Sequence, residues 1–496
     1  MPALTTHTAP RTDVDFAVPL DRAYGVQRAT EAIFGAQLKH GLCDVSGVLA
    51  TVCNNQRATL LGRGASGKVY GFDYGGHRFA LKTVLAGVAL DAVKPSEAKL
   101  LVSEARIGAF LTRAFVASAR CPNFVALLAY ETSEFVSTSS KGVLRPHELR
   151  ADHACVQLSE VFTAGTAVCL KKAHPDPPGV RTEETSPLAD ERTAFSLIAQ
   201  TLVAIYCMSV CGVVHNDLDM RNVLAHRTAQ RTLLYELPLS EEQRADAVTG
   251  RVTRPTQLRV RTHGLLFGVC DFGVASHTLW EASSGDPRIA QTADANGQNG
   301  SLYQWYFGGG DDDGDDDGDD ADAAKPTRDR EFVPRNAEGA AVLLMVAPDG
   351  TPVEALRYEA NNFERDVAYF LSHVHHRAEH VNEPASRRVA AFALAVLREF
   401  DLTGRLSSAE QILVVLRRVL TREFAEQHFG AATAADFFAP TLDDHDDAAA
   451  PHVYRLPSEA EGWLMRAELC EQLDREPSLQ ELTRVVASRE YLSTEA

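Results

Sequence analysis

Residues 213–224 read VVHNDLDMRNVL, and this stretch decides how the rest of the chain is interpreted. His215, Asp217 and Asn222 lie there between two apolar segments. Polar residues in such a position often form an ordinary loop, because Asn and Asp favour turns through local hydrogen bonds. The pattern H-x-D-x-x-x-x-N is short. It therefore indicates a functional loop only if complementary residues occur at suitable places elsewhere in the chain.

The composition excludes several classes of protein. The 496 residues allow two or three domains, or one large domain with insertions. A formal net charge of −18 argues against direct binding of nucleic acid, which usually needs a basic surface. We identify no apolar run long enough to span a bilayer, so no membrane span is expected.

The cysteines and the N-terminus predict an intracellular protein. The nine cysteines are an odd number without a C-x-x-C pair, as expected in a reducing compartment. Cys207 and Cys211 lie one turn apart in an apolar helix, which predicts core positions. The first residues lack a basic start followed by an apolar core, so secretion is not expected.

A glycine-rich segment precedes this stretch by about 145 residues. Gly62, Gly64 and Gly67 with Val69 form the pattern G-x-G-x-x-G-x-V. Glycines let backbone N–H groups approach phosphates without interference from a Cβ atom. The segment also resembles a P-loop, but Val69 stands where Ser or Thr would bind Mg²⁺. A P-loop opens a helix, whereas the following residues predict a hairpin, so we predict strand–loop–strand.

The next predicted strand carries Ala80 and Lys82 on one face, on the same side as the glycine loop. A lysine at this place can neutralise phosphate charge. Without the glycines, a solvated strand lysine would be the better interpretation. Such a lysine needs an acidic partner. We predict Glu104, in the following helix, with Glu97 as the alternative two turns earlier.

Asp271, Phe272 and Gly273 follow the hydrophobic strand LLFGVC. A carboxylate at the end of a buried strand is costly unless it is paired or binds metal. If Asp271 lies beside Asn222, the two side chains can hold Mg²⁺ on a nucleotide.

The order of predicted elements, strands first and helices later, indicates an α+β protein with two lobes. We predict a partly disordered extension at 1–56, a small β-rich lobe at 57–160 and a larger helical lobe at 161–490. Surface insertions are expected at about 228–260 and 280–330. The second contains the tract GGGDDDGDDDGDDADAA, whose like charges repel one another and predict disorder.

Together, the glycine loop, A-x-K, H-x-D-x-x-x-x-N and D-F-G resemble the protein kinase signature, in the correct order. The resemblance covers roughly residues 57–490. It implies a bilobal protein-kinase-like fold and the cofactors ATP and Mg²⁺. The residues expected to bind the nucleotide are Gly62, Gly64, Gly67, Val69, Ala80 and Lys82.

The same resemblance assigns catalytic roles. Asp217 would accept or orient the proton of the substrate hydroxyl, and Asn222 and Asp271 would hold Mg²⁺. Lys82 would contact the phosphates of the nucleotide while paired with Glu104. Phosphoryl transfer needs mainly positioning and charge neutralisation, and these residue types supply both.

Two more distant segments also resemble kinases. RDVAYF is similar to the segment whose Asp, here Asp366, braces the catalytic loop. LDREPSLQEL is similar to the late segment whose Arg, here Arg475, pairs with an acidic residue, for which Asp349 is the candidate.

The chain departs from the kinase pattern within the loop. Asn216 occupies the usual Arg position, which argues against control by a phosphorylated activation loop. Asp219 occupies the place of the Lys that Ser/Thr kinases direct at the transferring phosphate. We predict that Arg221 supplies the missing catalytic cation. The alternative is that Arg221 is a surface residue or pairs structurally with Asp219.

The chain has H-N-D at 215–217, long insertions, an acidic low-complexity tract and a composition rich in Ala, Arg and Asp. In these features it resembles the conserved herpesvirus protein kinases, and in particular the alphaherpesvirus tegument Ser/Thr kinases. This resemblance implies phosphorylation of viral tegument and host nuclear proteins, and a location in the virion tegument and the host nucleus. Two other functions are considered: a small-molecule kinase of the aminoglycoside or sugar type, and a pseudokinase scaffold. The histidines of SHVHH at 372–376 are interpreted as structural or solvent-facing rather than metal-binding.

Overall fold

The computed structural model of the protein describes residues 59–64, 67–74, 77–85, 95–133, 136–137, 149–150, 154–162, 164–170, 185–239, 241–249, 255–273, 275–278, 342–346, 352–357, 363–381, 383–403, 409–438 and 452–474. The predicted N-terminal extension, the acidic tract and the segments around Asp349 and Arg475 lie outside the described residues.

Strands and helices are mixed along the described chain, and most strand pairs are antiparallel. This mixture is that of an α+β protein. The strands are β1 Thr59–Gly64, β2 Gly67–Tyr74, β3 His77–Leu85, β4 Leu127–Ser133, β5 Val136–Ser137, β6 Leu149–Arg150, β7 Ala154–Glu160, β8 Gly165–Thr166, β9 Val213–Val214, β10 Val223–Arg227, β11 Thr232–Glu236, β12 Gln257–Arg261, β13 Leu265–Val269, β14 Ser276–His277, β15 Val342–Val346, β16 Pro352–Arg357 and β17 Val453–Arg455. The helices are α1 Pro95–Leu111, α2 Glu191–Val210, α3 Glu241–Val248, α4 Phe363–Val381, α5 Pro384–Thr403, α6 Ala409–Val419, α7 Arg422–Phe429, α8 Ala431–Phe438 and α9 Glu459–Asp474.

The first part of the described chain forms a five-stranded sheet in the order β1-β2-β3-β7-β4. Strands β1, β2 and β3 pair antiparallel as two successive hairpins, with Gly64 opposite Gly67 and Tyr74 opposite His77. The glycine segment is therefore followed by a strand and not by a helix. This confirms the predicted strand–loop–strand arrangement and excludes the P-loop.

Helix α1 packs against this sheet through its second half. Apolar residues at helical spacing, among them Val102, Ile107 and Phe110, are fully buried. The helix makes contacts with β4 and β7, and its outer side meets α9. Glu104 lies on α1 and is also buried, at 5% exposure. A buried carboxylate on this helix requires a partner.

Helix α2 is apolar on every side and is surrounded by the other helices and strands. Asp190 caps its first turn by accepting a hydrogen bond from the backbone N–H of Thr193 at 3.0 Å. The chain leaves the helix through Gly212 at φ +75°, a left-handed conformation suited to glycine at the end of a helix. Cys207 and Cys211 are buried free thiols, as predicted for core positions.

Within the described part of the chain, α2 is also the one helix whose length and apolar composition would suit a membrane span. The sequence analysis did not identify it as such. It is buried along its whole length inside the protein, as a core helix is. The helix is therefore compatible with the predicted absence of a membrane span.

Residues 228–260 differ from the predicted surface insertion. Strands β11 and β12 pair antiparallel, and β11 also pairs in parallel with β17. Leu233, Tyr235 and Val260 are completely buried. The prediction is corrected for these two strands, which belong to the core. On the helix between them, α3, Val248 is 88% exposed.

The last part of the described chain is mainly helical, as predicted. Helices α4 and α5 pack closely on each other, and α5 also packs on α2 and α6. Aromatic rings meet where α2, α5, α7 and α8 converge, with Phe195 stacked on Phe437 at a centroid distance of 4.4 Å. One cluster of buried apolar side chains extends from the first sheet to α9, and this shared core fixes the loops between the elements.

Candidate active site

The antiparallel pair β10–β13 brings together the two segments that carry Asn222 and Asp271. Val223 is opposite Val269, and the N–H of Cys270 donates to the carbonyl of Asn222 at 2.9 Å. Asn222 therefore immediately precedes one strand, while Asp271 follows the end of its neighbour. The predicted proximity of these two residues arises from this register.

Lys82 lies between two carboxylates. Its Nζ is 2.5 Å from Oε1 of Glu104 and 2.6 Å from Oδ1 of Asp271. Glu104 is the partner predicted from the sequence, and the side chain of Glu97, the alternative, lies outside the described residues. The Asp271 contact joins the first sheet to the end of β13, across 189 residues of sequence.

The sheet register explains how Lys82 reaches this place. Lys82 is opposite Val69 on β2, which in turn is opposite Gly62 on β1. Directly opposed residues of an antiparallel pair share a face, and so do residues two apart on one strand. Val69, Ala80 and Lys82 therefore face the same side, as predicted for residues that would meet a nucleotide.

The charges of the cluster support one another. Burial alone would lower the pKa of Lys82, but the carboxylates of Glu104 and Asp271 outweigh it and raise this pKa above its ordinary value. Burial would raise the pKa of Asp271, and the ammonium of Lys82 outweighs that effect and lowers it. Lys82 is therefore a cation and Asp271 an anion at neutral pH.

Asp217 is held by hydrogen bonds on both carboxylate oxygens. Nδ2 of Asn222 donates to Oδ2 at 3.1 Å, and also to the carbonyl of Asp217 at 2.7 Å. The hydroxyl of Tyr369 on α4 donates to Oδ1 at 3.1 Å. Burial, and after it the charge of Asp219, raises the pKa of the Asp217 carboxyl.

Helix α4 holds the backbone of the same loop. The carboxylate of Asp366 accepts hydrogen bonds from the N–H groups of His215 at 2.7 Å and Asn216 at 2.8 Å. Arg365 donates from Nε to the carbonyl of Asn216 at 3.0 Å. The contact predicted for Asp366 is thus present, whereas the sequence analysis did not identify Arg365.

A further set of contacts links the loop to the D-F-G segment. The ring of His215 lies 5.1 Å from that of Phe272, centroid to centroid, and its Nε2 is 2.9 Å from the carbonyl oxygen of Cys270. Asn216 donates from Nδ2 to the hydroxyl of Ser276 at 2.9 Å. Asn216, which stands where protein kinases usually have Arg, therefore makes a neutral, buried hydrogen bond to the segment that follows D-F-G.

Asn216 and Asp271 both adopt positive φ angles, +65° and +64°. Few residues other than glycine do so, although Asn and Asp tolerate this conformation better than most. At Gly273 an added Cβ would lie 3.3 Å from Oδ1 of Asp271 and 3.5 Å from Oε2 of Glu104. A side chain at this glycine would crowd the Asp271 carboxylate and touch that of Glu104 at ordinary van der Waals distance.

Arg221 pairs with Asp219, which was the alternative to its predicted catalytic role. Its Nε is 2.8 Å from Oδ2 of Asp219, and Nη2 contacts the same oxygen. Asp219 is completely buried, and its Oδ1 accepts from the backbone N–H groups of Arg221 and Asn222. The pair thus closes the turn at 219–222, and the catalytic role of Arg221 stays a prediction.

The predicted catalytic role of Arg221 is tested by Asp219→Asn/Arg221→Ala, which removes the cation without leaving a buried carboxylate unpaired. Loss of a catalytic cation is expected to lower turnover by about a hundredfold or more, which steady-state phosphate-transfer kinetics measure. Arg422→Ala, which removes an exposed arginine that pairs with Glu426 on α7, is the control. A turnover within about twofold of the wild type would assign Arg221 to the structural pair alone.

The oxygen donors present fit a magnesium ion. Asp271 offers a carboxylate whose side chain is 45% exposed, and the orientation of Asn222 leaves its Oδ1 as the ligating atom. Mg²⁺ usually takes one or two carboxylates and completes its shell with waters and substrate phosphates. Among the described residues, no group of three or more His, Cys, Asp or Glu is arranged to hold a metal.

The histidines of α4 have structural contacts. The ring of His373 stacks on Tyr369 at 5.6 Å, and Nδ1 of His375 lies 3.1 Å from the carbonyl oxygen of Ala390 on α5. His376 and His380 contact each other through their Nε2 atoms at 3.0 Å. These contacts support the interpretation of SHVHH as structural.

No family model matches this chain, and no curated protein matches it. Its chemistry must therefore be derived from the site. A lysine ammonium lies beside an oxygen pair that suits Mg²⁺, and a second carboxylate, that of Asp217, lies in the adjoining loop. Such a set can neutralise a polyphosphate, bind a divalent cation and accept a proton.

Proposed function

We propose that this protein is an ATP-dependent protein serine/threonine kinase with the bilobal fold of that superfamily. The observation that carries the proposal is the position of Lys82, whose Nζ contacts Glu104 and Asp271 together. In protein kinases this ion pair and the D-F-G aspartate must both be in place for transfer. The contacts of Lys82 with Glu104 and with Asp271 support the proposal.

In this proposal each residue performs one physical task. Lys82 places its ammonium against the phosphates of the nucleotide, and Glu104 keeps that ammonium in the sheet–helix cleft. Asn222 and Asp271 would hold Mg²⁺, which when bound neutralises charge on the phosphate oxygens. Because these groups are fixed before the reaction, little reorganisation is needed as charge develops.

Asp217 accepts or orients the proton of the attacking hydroxyl. Its carboxylate is positioned from two sides, by Asn222 in its own loop and by Tyr369 on α4. Its raised pKa makes it a better proton acceptor than an ordinary aspartate. The buried brace at Asp366 keeps the loop backbone in place.

We extend the proposal to partners and location by resemblance to the herpesvirus kinases. The substrates would be viral tegument and host nuclear proteins, in the virion tegument and the host nucleus. The insertion predicted at 280–330 and the resemblance between RDVAYF and the kinase brace segment favour a protein kinase over a small-molecule kinase. The complete set Lys82, Asp217, Asn222 and Asp271 argues against a pseudokinase.

A transfer assay tests the proposal. The full chain is incubated with Mg²⁺ and ATP labelled on the γ-phosphate, with a basic protein, an acidic protein, an aminoglycoside and a hexose as separate acceptors. We expect label on serine or threonine of a protein acceptor, and none with Asp217→Asn. Label on the small molecules alone would show a small-molecule kinase. Nucleotide binding without any transfer would show a pseudokinase, and either result overturns the proposal.

A further inference from the structure

We infer that Tyr369 is a positioning residue for Asp217, which it holds in the orientation needed to receive the proton of the substrate; this inference rests on the proposed function. The Tyr369 hydroxyl donates to Oδ1 of Asp217 at 3.1 Å. The side chain of Tyr369 is buried, at 6% exposure, and its ring stacks on His373 at a centroid distance of 5.6 Å. The hydroxyl is thus presented to Asp217 from a rigid helix.

Tyr369 and Asp366 hold different parts of the loop that carries Asp217. They are three residues apart on α4 and therefore lie on the same face of the helix. Asp366 binds the loop backbone at His215 and Asn216, and Tyr369 binds the side chain of Asp217. One helix face thereby fixes both the path of the loop and the orientation of its carboxylate.

The hydrogen bonds on Asp217 leave room for a substrate hydroxyl. Each carboxylate oxygen has two acceptor sites. Tyr369 occupies one site on Oδ1, and Asn222 occupies one on Oδ2. With one donor on each oxygen, rotation of the carboxylate is restrained while an acceptor site stays available on each oxygen.

The two hydrogen bonds on Asp217 give this contact a measurable consequence. Without the Tyr369 hydroxyl, the carboxylate keeps only the donor on Oδ2 and its rotation is no longer restrained at Oδ1. A less well oriented proton acceptor slows the chemical step and leaves binding of the nucleotide unchanged.

The test is Tyr369→Phe, which removes the hydroxyl and keeps the ring. We expect turnover at neutral pH to fall by about tenfold, with an unchanged KM for ATP, because the change affects the proton acceptor and not the nucleotide site. Tyr206→Phe is the matched control: it also removes a buried tyrosine hydroxyl, one that donates to the carbonyl of Pro457 at 2.7 Å.

A second measurement does not depend on activity. Protein labelled with ¹³C at the aspartate carboxyls is studied by NMR at one neutral pH, with the Asp217 signal assigned from Asp217→Asn. Because the carboxyl chemical shift responds to its hydrogen bonds, we expect the Asp217 shift to differ from wild type in Tyr369→Phe and to stay unchanged in Tyr206→Phe. An unchanged Asp217 shift in Tyr369→Phe would overturn the positioning role. Absence of transfer in the wild type would contradict the proposed function alone, since the NMR result stands without it.

Discussion

Asp271→Asn is expected to abolish Mg²⁺-dependent phosphate transfer while the protein stays folded. The change removes the proposed anionic metal ligand and one of the two carboxylates that hold Lys82. Stabilisation of transition-state charge by a metal is worth several kcal/mol, and each ~1.4 kcal/mol is a factor of ten in rate. We therefore expect transfer to fall by about a thousandfold or more.

The fold should survive this change for two reasons. Asn has nearly the same shape as Asp and tolerates the positive φ of +64° at this position. The side chain is also 45% exposed, so no buried charge is left behind at Asp271 itself. Lys82 keeps Glu104 as its second partner.

Transfer of labelled phosphate at saturating ATP measures the effect, and circular dichroism verifies the fold. Asp436→Asn is the matched control, because Asp436 is an exposed aspartate that pairs with Arg192 away from the site. A folded Asp271→Asn protein that transfers phosphate at the wild-type rate would remove Asp271 from the metal site.

The second large effect concerns stability. Asp366→Ala should lower the free energy of unfolding by about 3–5 kcal/mol, since it leaves the N–H groups of His215 and Asn216 buried without an acceptor, each at a cost of about 1–3 kcal/mol. Asp366 is 1% exposed, so water cannot easily replace the carboxylate. The guanidinium of Arg365, 1% exposed, also loses a neighbouring negative charge.

Urea unfolding of the purified variants measures this loss. Asp190→Ala is the control, because Asp190 caps α2 from a solvent-exposed position, where loss of a cap costs about 1 kcal/mol. Asp366→Asn should lower the free energy of unfolding by an amount between the losses for Asp366→Ala and Asp190→Ala, since its amide offers one acceptor oxygen in place of two. A loss below about 1 kcal/mol for Asp366→Ala would show that the brace is not needed for the fold.

Local sequence patterns were sufficient to predict many of the strands and helices and part of the candidate site. Alternation and glycine placement predicted the β1–β2–β3 hairpins, and apolar residues at helical spacing predicted α1, α2 and α4–α6. The same patterns placed Lys82 on a strand, Glu104 on the next helix and Asp271 after a strand. These predictions succeeded because each depends on residues within one or two turns or strands of one another.

The local sequence pattern wrongly predicted a surface insertion at 228–260, and it gave no role to Tyr369. The polar, Arg-rich composition of 228–260 hid two short strands, since Leu233 and Tyr235 become core residues only when β11 pairs with β12 and β17. In the sequence Tyr369 is one apolar position of an amphipathic helix. Its three-residue spacing from Asp366 was the available signal, and it gains meaning only once Asp366 is known to bind the loop.

The sequence by itself determined which charged and polar residues the chain carries for the proposed site and in which order they occur. The tertiary structure decided which of them meet: that Lys82 contacts both Glu104 and Asp271, and that the cation of Arg221 is bound by Asp219. Helix and strand periodicity act over a few residues, whereas these contacts depend on strand register and helix packing across the whole core. A residue's pattern can therefore specify its element and its face, but its partner depends on how distant elements pack.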